Sequence, residues 1–318
     1  MSHRKFLYRY IIILLIAITA SFSNADERPY ATTIYVTDIG NAHITRFNDM
    51  DGAGWKIYGS RGGAEGQFGS VTLRSGPWGI ALDNAGKIYI ADNDNARIVR
   101  IDNMSGRGWK NIKGFTQPVG IAVDTDNRIY VADLYANHIG RVDDVSGSGL
   151  IRLGFGMGGS DTGQFRLPIG IALDSKKRIY IADRNNARIV RIDDMTGAGW
   201  VTIGSSGAGT HEFGIPQAIA IDSRDRIYVS DAGNHRIVRL DNMTGSGWIT
   251  FGRRGSGIDE FDRPQGIATD QSNHIYVVDS SNARVVRLDD ITGAGWVVMG
   301  SKGDGAKQFN LPFGITVR

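Results

Sequence analysis

Short apolar runs separated by polar, glycine-rich turns recur along this chain. One run, Ile-Tyr-(Val/Ile)-x-Asp, occurs six times and ends at Asp38, Asp92, Asp133, Asp183, Asp231 and Asp279. Successive copies lie 54, 41, 50, 48 and 48 residues apart. Eight residues beyond each Asp stands an Arg, at positions Arg46, Arg100, Arg141, Arg191, Arg239 and Arg287. A Gly-x-Gly-Trp stretch follows, with Trp55, Trp109, Trp200, Trp248 and Trp296, and Leu150 in the third copy. A Pro-x-(Gly/Ala)-Ile segment also occurs six times, at Pro77, Pro118, Pro168, Pro216, Pro264 and Pro312.

Each unit reads as four strands. In one copy they are strand a, residues 170–174; strand b, 179–183; strand c, 188–193; and strand d, 200–204. The runs are rich in β-branched residues and bounded by turn formers. No stretch keeps a helical period over three turns. Strands a and b are nearly continuous apolar runs, as in a sheet covered on both faces. Four antiparallel strands per unit, tiled six times, predict an all-β protein, a six-bladed β-propeller. The first unit begins at strand b, near Ile34, and residues 312–317 form a lone strand a. The C-terminal strand is therefore expected to complete the N-terminal blade and close the ring, which protects the blade edges. The expected organisation is a signal peptide over 1–25, a short lead over 26–33 and the propeller over 34–318.

The signal expectation rests on Arg4, Lys5 and Arg9, an apolar run from Ile11 to Ala20, and the small-x-small site Ser23-Asn24-Ala25. The apolar run is about half the length that spans a bilayer. Export to the periplasm or the extracellular space, with no stable membrane span after cleavage, follows as the expectation. The chain has no Cys, so disulfides and Cys-based zinc sites are excluded. Formal charge is +3, from 36 Lys and Arg against 33 Asp and Glu. The three basic residues of the leader account for that excess. A neutral mature chain lacks the field that gathers nucleic acid, which is disfavoured as a partner. Gly is 43 of 318 with only 7 Pro, which fits many tight turns between short strands.

The units resemble the NHL repeat. Its pattern runs from a Gly-rich lead through Phe-x-x-Pro-x-Gly-Ile to Ile-Tyr-Val-Ala-Asp and Asn-x-Arg-Ile. Residues 303–315 carry the first part; Asp183, Asn186, Arg188 and Ile189 carry the last; Asn234-His235-Arg236-Ile237 adds the Asn-His pair. The resemblance spans about residues 34–318 and implies the propeller fold. It leaves function open, because this family includes extracellular sensor domains, protein-contact scaffolds, RNA-binding domains and a zinc-dependent amidating lyase.

The repeated Asp residues read as acceptors for backbone N–H groups in their own loops, since six equivalent copies do not make one metal site. Arg followed two positions later by Asp, in five units, reads as an in-blade ion pair, and the repeated Trp as cover for apolar surface near a blade's outer edge. His43 and His138 stand where other units carry Arg97, Arg188, Arg236 and Arg284. His211, His235 and His274 fall in connectors or loops, and none lies on strand a. No catalytic or metal-ligating set emerges.

Departures from the repeat mark the candidate site instead. The span from the repeated Trp to the next Pro is nine residues after Trp109, and 16, 18 or 22 elsewhere. The longest includes an extra stretch, 69–76, with Arg74. Trp78 lies outside the repeated Trp position, and Tyr135 is the only Tyr in a b–c loop. The residues after the repeated Pro make a mixed ring of Trp78, Val119, Ile169, Gln217, Gln265 and Phe313. Arg74, Trp78, Tyr135, Gln217, Gln265 and Phe313 are the expected binding residues. The expected function is a non-catalytic scaffold that binds a protein, peptide or glycan on its loop-rich face, without a cofactor. The alternative is a metal-dependent lyase or hydrolase with zinc or calcium in the central channel.

Overall fold

The structure is a computed structural model that describes residues 32–72, 75–154 and 156–318. The signal segment, most of the short lead, and Arg74 lie outside the described residues. Six four-stranded antiparallel sheets follow one another along the chain. Blade 1 takes strands b, c and d from Thr33–Asp38, His43–Asn48 and Ala53–Tyr58. Its strand a is Pro312–Val317, which pairs Ile34 with Val317 and Val36 with Ile315. The C-terminal strand therefore closes the ring. Blades 2 to 6 are continuous and begin with strands a at Ile80–Leu82, Pro118–Val123, Pro168–Leu173, Pro216–Ile221 and Pro264–Thr269.

Strand a is innermost and lines the channel, and its sequence sets how closely blades approach. A Cβ at Gly120 would lie 2.0 Å from the carbonyl oxygen of Ile169 in the next blade. A Cβ at Gly170 would lie 2.6 Å from that of Gln217. The glycine of Pro-x-Gly-Ile is thus needed for backbone packing around the inner ring. Strands b and c carry the apolar bulk between blades: Ile179, Ile181, Ile189 and Val229 are all at most 1% exposed. Each such side chain contributes about 1.5–3 kcal/mol through burial.

The connectors from strand d to the next strand a are more ordered than loops. Four contain two-residue parallel ladders, such as Ser205–Ser206 against Glu212–Phe213. A connector Phe, inside a ladder or not, packs on the Trp of the following blade: Phe165 on Trp200 at 5.1 Å, Phe213 on Trp248 at 5.1 Å, and Phe309 on Trp55 at 5.5 Å between ring centroids. The repeated Trp therefore braces a connector against a blade, beyond merely covering an outer edge. The Arg-x-Asp ion pairs form in five blades, from Arg141–Asp143 at 2.7 Å to Arg191–Asp193 at 3.4 Å.

Candidate functional site

The Asp that ends strand b anchors a latch over the connector. In blade 4, Asp183 accepts the N–H of Arg166 at 2.7 Å, the amide of Asn186 at 2.7 Å and Nε of Arg188 at 2.8 Å. Arg188 then donates to the carbonyls of Ser160 at 2.6 Å and Gln164 at 3.0 Å. Blades 2, 5 and 6 repeat this with Arg97, Arg236 and Arg284. The Asp residues are structural, as expected. In blades 2 to 6 the backbone donors come from the preceding connector, which corrects the expectation of donors in the Asp residue's own loop; only Asp38 of blade 1 also takes one from its own loop, Asn41 at 3.1 Å. The carboxylates are deeply buried, and burial pushes Asp92, Asp183 and Asp279 above the usual carboxylate range, while Asn and Arg partners pull them back.

These latches hold the b–c loops and connectors around one mouth of the channel. Below it, the channel between the a strands is narrow, about 90 Å³, and lined by glycines and aliphatic residues such as Ile121, Ile171 and Ile267. That space suits a few waters at most. Above it opens a cup of about 540 Å³. Trp78, Tyr135, Gln217, Gln265 and Phe313 all line this cup, so the structure brings together the five described candidates. Tyr135 is 63% exposed at its rim. Trp78 and Phe313 pack together deeper, with ring centroids 4.7 Å apart. Of the other ring members, Val119 is buried and Ile169 forms part of the cup's apolar wall.

Two hydroxyls fix the backbone of this rim. Thr37 donates to the carbonyl of Trp78 and accepts the N–H of Gly314 at 2.7 Å. Ser230 donates to the carbonyl of Gln265 and accepts the N–H of Ala218 at 3.0 Å. The other units carry Ala91, Ala132, Ala182 and Val278 at that position. Both hydroxyls thus sit beneath ring residues that line the cup.

Sequence reasoning missed Arg184, Arg263 and His235, which also line the cup. The signal was available as a break in the repeat. Arg184 occupies a loop position held by Asn93, Leu134, Ala232 and Ser280 elsewhere, and Arg263 precedes a repeated Pro where Gln117, Leu167 and Ile215 stand in other copies. Nδ1 of His235 lies 3.2 Å from Asp262 and accepts the N–H of Arg263 at 3.2 Å.

The remaining imidazoles are dispersed. His43 and His138 sit in latches, His274 pairs with Asp270 at 2.8 Å, and His211 meets Trp248 edge-on at 5.2 Å. Among the described residues, no three His, Asp or Glu side chains group closely enough to hold a metal ion. The channel wall offers none of the imidazoles that zinc would need.

Comparison with known families matches residues 168–247 to a family described as a 6-bladed beta-propeller. Residues 75–101, 115–140 and 261–288 match the NHL repeat. No curated protein matches the sequence. Among solved structures, a chain from a nidogen/laminin complex is similar at a TM-score of 0.67 and 18% identity, over 90% of this chain and 98% of that one. A protein of unknown function from Bacteroides caccae is similar at 0.62 and 16%, over 91% and 99%. Virginiamycin B lyase from Staphylococcus aureus is similar at 0.51 and 19%, over 72% and 75%. At these identities the likeness is one of fold.

Proposed function

We propose that this chain, which carries NHL repeats and is built as a six-bladed β-propeller, is a non-catalytic scaffold docking a protein or peptide segment in the cup at the channel mouth. The observation that carries this reading is where the repeat breaks. Elsewhere, repeated polar side chains mostly join latches and ion pairs, although Nε of Arg100, Arg141, Arg191, Arg239 and Arg287 also lacks a partner. At the cup, aromatic, amide and guanidinium groups converge with atoms left unpartnered: Nε1 of Trp78 and Oε1 of both Gln217 and Gln265. Aromatic and Arg side chains around a desolvated depression are what contact surfaces favour. A propeller chain within a nidogen/laminin complex is a precedent for the fold serving protein contact, at the level of fold alone. In this reading residues 1–25 direct export and binding needs no cofactor. The metal-dependent alternative is not favoured, since among the described residues the channel wall and scattered imidazoles give an ion no ligand set.

Site-directed photocrosslinking tests the placement. A photoreactive residue at Tyr135 is expected to capture a partner from the native cell envelope, while one at Lys176, in an a–b turn on the opposite end, captures none. Equal adducts from both positions, or adducts from Lys176 alone, would remove the cup as the docking face.

A further inference from the structure

Among the described residues, the cup is lined by two arginines and no acid. Neither Arg184 nor Arg263 forms an ion pair among the described residues, and Nε of Arg184 is buried without a partner. The latch arginines, by contrast, each hold an Asp, as Arg97 holds Asp92 at 2.7 Å and Arg284 holds Asp279 at 2.7 Å. Gln217 is 91% buried from solvent, lies between cup and channel, and has no partner for its Oε1. A buried amide oxygen without a donor is costly unless something supplies one.

Resting on the docking reading above, we propose that the cup recognises an acidic peptide segment. A carboxylate of the segment meets Arg184 and Arg263. Its backbone N–H groups donate to Oε1 of Gln217 and Gln265, and a backbone carbonyl accepts from Nε1 of Trp78. Guanidinium groups favour carboxylates through charge-assisted, often bidentate hydrogen bonds. The remaining wall, Leu134, Ile169 and Ile215, is aliphatic and suits apolar side chains flanking the acid. The same wall disfavours an acidic sugar, whose ring hydroxyls would be desolvated against it without partners. Trp78 already has Phe313 packed against it, which leaves Tyr135 as the one well-exposed aromatic ring at the rim.

The test uses the chain from residue 26 onward and fluorescent short peptides alternating Glu with Leu. Matched peptides carry Gln or Lys for Glu, and oligogalacturonate serves as the acidic-sugar probe. Anisotropy is expected to show binding of the Glu peptides, weakened at least about tenfold when Gln replaces Glu or in the Arg184→Gln/Arg263→Gln variant. The variant's melting midpoint is the control for fold. Glu and Gln peptides binding equally would overturn the carboxylate assignment while leaving peptide docking intact. Binding of oligogalacturonate with no peptide bound would overturn the peptide assignment, and no binding of any probe would overturn both. Undiminished Glu-peptide binding by the folded variant would place the site elsewhere.

Discussion

Blades 4 and 1 present the same Asp to different company. In blade 4, Asp183 faces Arg188, whose guanidinium ties the carboxylate to two carbonyls of the preceding connector. In blade 1, Asp38 accepts N–H groups from Asn41 at 3.1 Å and Asn310 at 2.8 Å, but His43 stands where the arginine would. His43 is buried, and its Nε2 has no partner. Without a cation, burial pushes Asp38 up to about 6. Burial also pushes His43 down to about 4, so both groups resist charging. The lesson is electrostatic: the blade that joins the chain's two ends is held by packing and backbone pairing, with a latch that contains no cation.

The most severe way to break the comparison is to remove what blade 1 does rely on. Deleting residues 312–318 takes away the whole of strand a there, with Ile315 buried against Ile34 and Val36. The expected loss is on the order of 5 kcal/mol or more by buried area, close to the total margin of a typical domain. Thermal melting checks it, and an unchanged midpoint would show that the ring does not depend on this closure.

The first-to-last strand pairing was legible in the sequence because register alone demanded it: an unpaired strand a at one end and a blade lacking one at the other. Trp78, Gln217, Gln265 and Phe313 were legible for a similar reason, since the repeat places the residue after each Pro around one ring, whereas Tyr135 stood out as the only Tyr in a b–c loop. What escaped was set by distant pairing. The N–H donors to Asp183 and Asp231 lie 16 or 17 residues upstream, in connectors, so nothing inside the Asp-x-x-Asn-x-Arg spacing reveals them. Arg184 and Arg263 escaped because each sits at a variable position and gains meaning only once the fold sets both at one cup. Thr37 and Ser230 escaped likewise, since a hydroxyl in an apolar strand reads as a tolerated variant until its acceptor across the blade boundary is known.

Blade 3 sharpens the comparison, because it too carries a histidine in the latch. His138 lies 3.7 Å from Asp133, but the connector before blade 3 is the short one. It lacks the Gly-rich turn whose carbonyls an arginine would reach, and Asn137 reaches forward instead to Gly156 at 3.2 Å. Blade 1 differs: residues 303–309 repeat the turn, with Asp304 and Gln308 where Ser160 and Gln164 receive Arg188 in blade 4. His43→Arg is therefore expected to stabilise the protein by about 1–2 kcal/mol, the net worth of charged hydrogen bonds less the ordering of a long side chain. His138→Arg is expected to give no gain. Denaturant midpoints at constant slope measure both, and equal shifts would mean that the connector carbonyls are not what separates the two kinds of latch.

The smallest expected effect is also the most direct reading of the latch's charge. A histidine whose folded value falls to about 4, against 6.5 in its ordinary state, contributes stability that is present above 6.5 and lost as pH falls toward 4. Asp38 works the other way: its value rises from 3.8 to about 6, so its contribution is present below 3.8 and lost as pH rises through 6. In the native protein these slopes oppose each other and flatten the response between pH 4 and 6. His43→Gln removes one of them. Relative to the native protein, the variant should therefore gain stability as pH falls from about 6.5 to about 4, by at most about 3 kcal/mol. All other titrating groups cancel in that difference. A pH-independent difference in unfolding free energy across this window would mean that His43 is not forced to stay neutral, and that the closing blade tolerates charge as well as the arginine-latched ones do.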